Sequence, residues 1–274
     1  MSFDIEKYRF IPFLGFRHIL IIFCLIPIIS WSFLLAGCTA SNGLRDVYIL
    51  ALSYNKSPTS TLPSPLQINI NTTQVLENQV LESHNIVREV RVGYLSICVV
   101  FNSGAWSCST DPQELATSIR GEGNGDPLNL LSLADVVRTR TLFYALLIIS
   151  LVFIFLTIFL LSTFPSWHEE EDSQGYIREI SPFSSYKVLY ITLGLSFVAS
   201  LLGFASAFWQ HIGAADASTL AGSLTYNMVV ARVGITSSVL GWVAAAVATI
   251  VALGILLLIV SVRKLTQLAE GWVF

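Results

Sequence analysis

The chain has 274 residues, of which 54% are hydrophobic and only 12% charged, with a formal net charge of -3 and a mean hydropathy of +0.68. Soluble domains carry about 25% charged residues, so this composition excludes an ordinary soluble protein. Without a basic patch or a Lys/Arg run it also excludes a nucleic-acid partner, and four cysteines are too few for a disulfide scaffold.

Four stretches are apolar for the roughly 20 residues that a bilayer crossing needs. They divide the chain into a tail at 1–17, a first span at 18–37, a large polar domain at 38–140 and a second span at 141–163. A connection at 164–187, a third span at 188–209, a short loop at 210–232, a fourth span at 233–260 and a tail at 261–274 complete it. The expected fold is a membrane all-α four-helix transmembrane bundle with a small extracellular β-sheet domain. An even number of spans puts both termini on one side. The Lys/Arg bias favours the cytoplasm for them, and sequons at Asn55 and Asn71 place glycosylation in the large loop outside.

The first span holds Pro27, which cannot donate to a helix, and Cys24, a small apolar filler. It ends in Leu34-Leu35-Ala36-Gly37-Cys38. A bacterial lipobox would read this way, but three further spans argue for a span exit. Cys38 is then an odd thiol, free, lipidated or pairing between molecules.

Within the large loop, Val47 to Tyr54 is a strand candidate and Leu66 to Ile70 alternates like a half-buried strand. Thr73 to Arg91 gives no clear pattern. From Gly93 to Cys108 the chain reads as an extended hairpin. Val92, Tyr94, Ile97, Val99, Val100 and Phe101 form one arm, Asn102-Ser103-Gly104 the turn, and Ala105 to Ser109 the return. Cys98 and Cys108 lie on opposite arms, where a cross-strand disulfide is geometrically sound. Trp106 stands beside the second of them. Asp111-Pro112-Gln113-Glu114 is a helix start, with a cap, a proline at the first position and an acid at the third. Leu128 to Arg138 is helical and leads into the second span.

Asp111, Glu114 and Asp135, with Glu122 and Asp126, are candidates for attracting cations at the outer mouth. The competing reading is a helix cap and solvated charge. No loop has the spacing to offer calcium about six oxygens. No acid or base lies mid-span, which argues against a pump. Ala199, Gly203 and Ala207, and Ser237, Gly241 and Ala245, recur four apart and suit close helix packing. Neither a phosphate-binding glycine loop, nor paired metal ligands, nor a nucleophile elbow is present, so an enzyme is not expected, and no cofactor is implied.

Two resemblances follow from these motifs. Gly93, Cys98 and Cys108 stand in the G-x4-C-x9-C arrangement of claudin-like four-span proteins, with Arg138 or Arg140 at the start of the second span. Claudins carry Leu-Trp after the glycine, where this chain has Tyr94-Leu95. The set Leu34 to Thr39, Val47 to Tyr54, Gly93-Tyr94 with Cys98, and Trp106 with Cys108 resembles more closely the fungal mating-induced four-span family of calcium-influx regulators and membrane-fusion proteins. That family carries a second glycine where this chain has Ser96. The resemblance implies a plasma-membrane protein that promotes low-affinity calcium entry and cell fusion during mating or hyphal growth. Calcium is then the ion transported or regulated. The partners it implies are the bilayer and either a second copy or a calcium channel. The alternative is a claudin-like adhesion or scaffold protein that self-associates through its outer domain without ion transport.

Overall fold

The structure is a computed structural model and describes residues 16–39, 43–55, 86–121, 125–126, 129–163, 168–171, 177–180, 186–225 and 228–270. Asn71, the expected strand at 66–70 and Glu122 lie outside the described residues.

In chain order the elements are α1 (Phe16–Leu35), β1 (Leu50–Tyr54), β2 (Val87–Val92), β3 (Ile97–Phe101), β4 (Trp106–Ser109), α2 (Pro112–Gly121), α3 (Leu130–Thr141), α4 (Tyr144–Ser162), β5 (His168–Glu171), β6 (Ile177–Ile180), α5 (Tyr186–Leu224), β7 (Val229–Val233) and α6 (Ile235–Glu270). Four of these helices, α1, α4, α5 and α6, are long and apolar enough to cross a membrane. The chain divides into two compact units.

The first unit combines residues 1–30, 146–204 and 243–274. Small side chains let its helices approach. Ala199, Ala244, Ala245 and Ala248 are almost wholly buried, and a methyl on Gly254 would press on the Leu20 side chain. Ser200 and Thr249 share a hydrogen bond of 2.8 Å between α5 and α6. Of the other buried hydroxyls of this unit, Ser150, Thr157 and Thr192 donate back to carbonyls four residues earlier and Ser196 to one three residues earlier. These four are satisfied within their own helices, which is how hydroxyls are tolerated in apolar surroundings.

The second unit combines residues 31–145 and 205–242. Its centre is a five-stranded antiparallel sheet in the order β4-β3-β2-β1-β7. One face carries Leu50, Leu52, Val87, Val90, Val92, Ile97 and Val99, all essentially buried, and α3 packs there through Leu130, Leu131 and Ala134.

Several expectations are corrected here. Gly93 to Ser96 is a tight turn between β2 and β3, closed by Gly93 N–H donating to Ser96 C=O at 2.9 Å, and not part of one extended arm. Before it, β2 reads V-R-E-V-R-V, whose alternation is broken by an irregularity between Val87 and Glu89, which is why most of it fell in the stretch that gave no clear pattern. The segment expected as a loop at 210–232 is mostly helix. α5 runs on to Leu224, and its Ala-rich end (Ala214, Ala215, Ala217, Ala221) favours that state. β7 then joins the sheet against β1, Leu50 facing Val233 and Tyr54 facing Val229. The sheet is therefore built from both polar segments, not from 38–140 alone. His168–Glu171 and Ile177–Ile180 pair as a short ribbon where only a connection was expected.

Candidate functional site

The hairpin of β3 and β4 follows its sequence closely. Gly104 sits at φ 81° in the turn, a conformation glycine adopts without penalty, and Phe101 and Ala105 close it. Cys98 and Cys108 face each other in register and are joined by a disulfide, with Cα atoms 4.1 Å apart.

Beside the disulfide, Arg91 of β2 lies opposite Cys98. Its guanidinium stacks 4.7 Å from the rings of both Tyr48 and Trp106. It pairs with Glu89 at 2.7 Å and Asp46 at 2.8 Å and donates to Arg45 C=O. Burial weakens its charge, but the two carboxylates outweigh that and hold its pKa above the ordinary arginine value. Arg45 also covers the Trp106 ring, at 5.4 Å. Trp106 is thus a platform for two cations, a contact type worth about 0.5–2 kcal/mol each.

Behind this surface the sheet grips helix ends. The turn at Gly93 is seated on the exit of α1. A Cβ on Gly93 would stand 2.7 Å from Gly37 O and 2.8 Å from Cys38 Cβ. Ser96 Oγ reaches the carbonyls of Gly37 and Cys38. Its hydroxyl lies against both of these carbonyls, which follow the end of α1. Cys38 has φ 60°, donates its thiol to Arg91 C=O at 3.2 Å, and sets its own carbonyl oxygen 3.0 Å from the Cys98 sulfur. The two motifs that stand out in the sequence, Gly37-Cys38 and Gly93 to Cys98, therefore meet in space.

Cys38 is a free thiol with no exposure. Of the three fates read from sequence, only the free thiol fits, because lipidation and intermolecular pairing both need access. Burial raises its pKa from 9.0 to about 12. Since the thiolate is the reactive form, maleimide at pH 8 is expected to leave Cys38 unlabelled in the folded protein and to label it after denaturation. Fast labelling of the native protein, read by mass shift, contradicts this placement.

Tyr94 turns the other way, into the unit's interior. It is 3% exposed, and its hydroxyl donates to Gln210 Oε1 of α5 at 3.1 Å. Gly241 of α6 makes room, since a Cβ there would lie 3.4 Å from that oxygen. Gln210 went unnoticed in the sequence because it sits just past the expected span end. Its position four residues after Ser206 on one helical face was the available signal. Burial pushes the Tyr94 pKa from 10.0 to about 12. The sign follows directly: stability from the protonated tyrosine is full below pH 10 and is lost as pH rises through about 12. Tyr94→Phe strips the buried amide of its donor and is expected to cost about 1–3 kcal/mol, read as a lower thermal midpoint at pH 7. An unchanged midpoint shows that the bond contributes nothing.

The last grip is at α6. Gly234 N–H donates to Ile49 C=O at 2.8 Å, and Ser237 Oγ donates to Tyr48 C=O at 2.7 Å. A Cβ on Gly234 would run into the Tyr48 carbonyl.

The acids singled out in the sequence each meet a local partner. Asp111 Oδ1 accepts Gln113 N–H and caps α2. Glu114 Oε2 accepts Ser109 Oγ–H. Asp135 faces Arg138 at 3.5 Å. Asp126 accepts the N–H groups of Leu130 and Leu131 and the Tyr54 hydroxyl, so it caps α3. A cleft of about 250 Å³ between α2 and α3 is lined by Arg120, Asp126, Ser132 and Asp135, among others. Among the described residues no three His, Cys, Asp or Glu side chains gather to hold a metal. Arg138, the basic residue at the approach to the second span, donates to Thr110 C=O at 3.0 Å and steadies the chain after β4. Asn55 is described, and its N–H donates to Met228 C=O at 2.8 Å, next to β7.

Four helices of spanning length and a disulfide-stapled sheet that fastens helix ends define a four-span membrane protein built around a small sheet domain. Residues 75–261 match the family of the Ca2+ regulator and membrane fusion protein Fig1, and the chain belongs to that family. No curated protein matches the chain.

Proposed function

We propose that this protein acts in the fungal plasma membrane, where it promotes or regulates low-affinity calcium influx and membrane fusion during mating or hyphal growth. The observation that carries the reading beyond family membership is the seating of Gly93, Tyr94 and Ser96 on α1 and α5. Through it, anything that displaces the disulfide hairpin displaces helix ends. In this reading the fold is claudin-like, both termini are cytoplasmic, and the sheet domain faces outward with glycans on Asn71 and Asn55. Asp111, Glu114 and Asp135 contribute a diffuse negative field that draws calcium toward the outer mouth without binding it. The protein performs no covalent chemistry and needs no cofactor.

The test has two stages. Mating cells with and without the chain are compared for tracer calcium uptake and for cell fusion. Both are expected to fall in its absence, and unchanged values overturn the proposal. Purified protein in sealed vesicles then decides the mode. Protein-dependent influx makes it the conduit. Its absence, with correct orientation and an intact Cys98–Cys108 bond, assigns regulation through a channel partner. Self-association without any effect on calcium, in cells or vesicles, supports the adhesion or scaffold reading instead.

A further inference from the structure

The turn between β2 and β3 carries Tyr94 and Leu95 at its tip, where turns ordinarily use Gly, Pro, Asn, Asp or Ser. Tyr94 is turned inward onto Gln210. Leu95 is 44% exposed, and among the described residues between 36 and 135 no other large hydrophobic side chain is exposed. The contacts that hold this tip come from the ends of membrane crossings. Gly93 and Ser96 sit on Gly37 and Cys38, just past the end of α1 at Leu35. Gln210 directly follows Trp209, where the apolar run of α5 gives way to Gln210, His211 and Asp216. Arg138, on the approach to α4, donates to Leu95 C=O at 3.4 Å. Phe143 meets Trp209 edge to face at 5.5 Å, and Tyr144 opens α4. All three rings are about half exposed.

We infer that this tip is a lipid contact, with the Leu95 side chain entering the bilayer surface on the side of the sheet domain. A single exposed leucine is ordinary on a surface that faces water. What distinguishes Leu95 is its level. Tryptophan and tyrosine collect at the headgroup level of membranes, and Trp209 with Tyr144 marks that level at the helix ends to which the tip is fastened. The apolar surface at Leu95 is then continuous with that of the spanning helices, whose surroundings are lipid. A protein partner fits less well. A specific interface covers about 800 Å² on each side, and the sheet domain offers one leucine there. Because Gly93, Tyr94 and Ser96 fasten the same turn to α1 and α5, lipid packing at Leu95 bears directly on those helix ends. The inference rests on the four-span reading and is independent of whether the protein conducts calcium or regulates a channel.

The experiment uses the full chain in phosphatidylcholine vesicles, with a nitroxide attached to Leu95→Cys. Reference labels go on Phe155→Cys, within α4, and on Ser103→Cys, in the turn at the other end of β3. Cys24 and Cys38 are buried, and the unsubstituted protein sets the background. Oxygen, which partitions into lipid, and a water-soluble nickel chelate are compared as collision partners. The oxygen-to-nickel ratio at Leu95 is expected to be several-fold above that at Ser103 and to approach that at Phe155. A ratio at Leu95 equal to that at Ser103 overturns the inference. So does low collision with both partners, the result of protein covering the site. A low ratio at Phe155 as well overturns the four-span reading beneath it. A second measurement needs no substitution. Unsubstituted protein is irradiated in vesicles containing phosphatidylcholine with a diazirine near the head of its acyl chain. Label is expected on the peptide that holds Leu95, and label confined to α1, α4, α5 and α6 overturns the inference.

Discussion

Gly93→Ala is expected to unseat the turn between β2 and β3 from the end of α1 and to remove most of the folded protein from detergent extracts. The added methyl stands against a main-chain oxygen at 2.7 Å and against the Cys38 Cβ at 2.8 Å, with Ser96 O at 3.2 Å. None of these is the free end of a flexible side chain, so the backbone itself has to move. Overpacking of this kind costs about 1–3 kcal/mol and more where the backbone cannot yield. Both sides are fixed here, one by the sheet ladder and the other by Ser96. Gly234→Ala should behave alike, because its methyl meets the Tyr48 carbonyl at a point where bonds from Ser237 and Gly234 already hold the two segments together. The readout is the monodisperse fraction and its thermal midpoint. Wild-type values for Gly93→Ala would show that the seating is loose and that the hairpin does not hold α1.

The second large effect belongs to the disulfide. Replacing both Cys98 and Cys108 by alanine opens a crosslink with a sequence separation of 10, for which chain entropy predicts about 2.5–3 kcal/mol. Changing both residues leaves no new thiol to pair with Cys38. The loss should fall first on β4, an edge strand of four residues, and with it on the Trp106 platform under Arg91 and Arg45. Calcium uptake per molecule at the cell surface is expected to drop together with the thermal midpoint. Normal uptake per surface molecule, with the midpoint lowered, would separate the hairpin from function and confine the bond to stability.

What the sequence made legible was local. The Asn102 to Gly104 turn and the cap at Asp111 with its acid at Glu114 rest on patterns within a few residues, and the four apolar helices on runs of about twenty, though the third and fourth of these run past the expected span ends. The cysteine pairing also fell within reach, because a two-stranded hairpin fixes which residues face each other. What was not legible depends on partners distant in the chain. Val229 to Val233 is rich in valine, but five such residues directly before an apolar span read as its lead-in, and they pair as a strand only because β1 offers an edge. Gln210 looks like the first loop residue until Tyr94 is found against it. The acids illustrate the reverse. Asp111, Glu114 and Asp135 look alike as acids near the hairpin or the second span, yet a helix cap, a serine contact and an arginine neighbour each take one of them, and no metal-holding group of three forms among the described residues. Proximity along the chain carried no information on whether they converge.

The pairing of β1 with β7 also sets an order of events during synthesis. Ser53 and Val230, facing residues in this pair, are 177 positions apart. At about 5–20 residues per second on the ribosome, roughly 9–35 s separate the appearance of the two strands. Once β2 has followed, β1 has a partner on that side alone, and its other edge stays unpaired by β7 while α4 and α5 are being made. Sheet completion is thus a late, non-local step of the kind that slows folding.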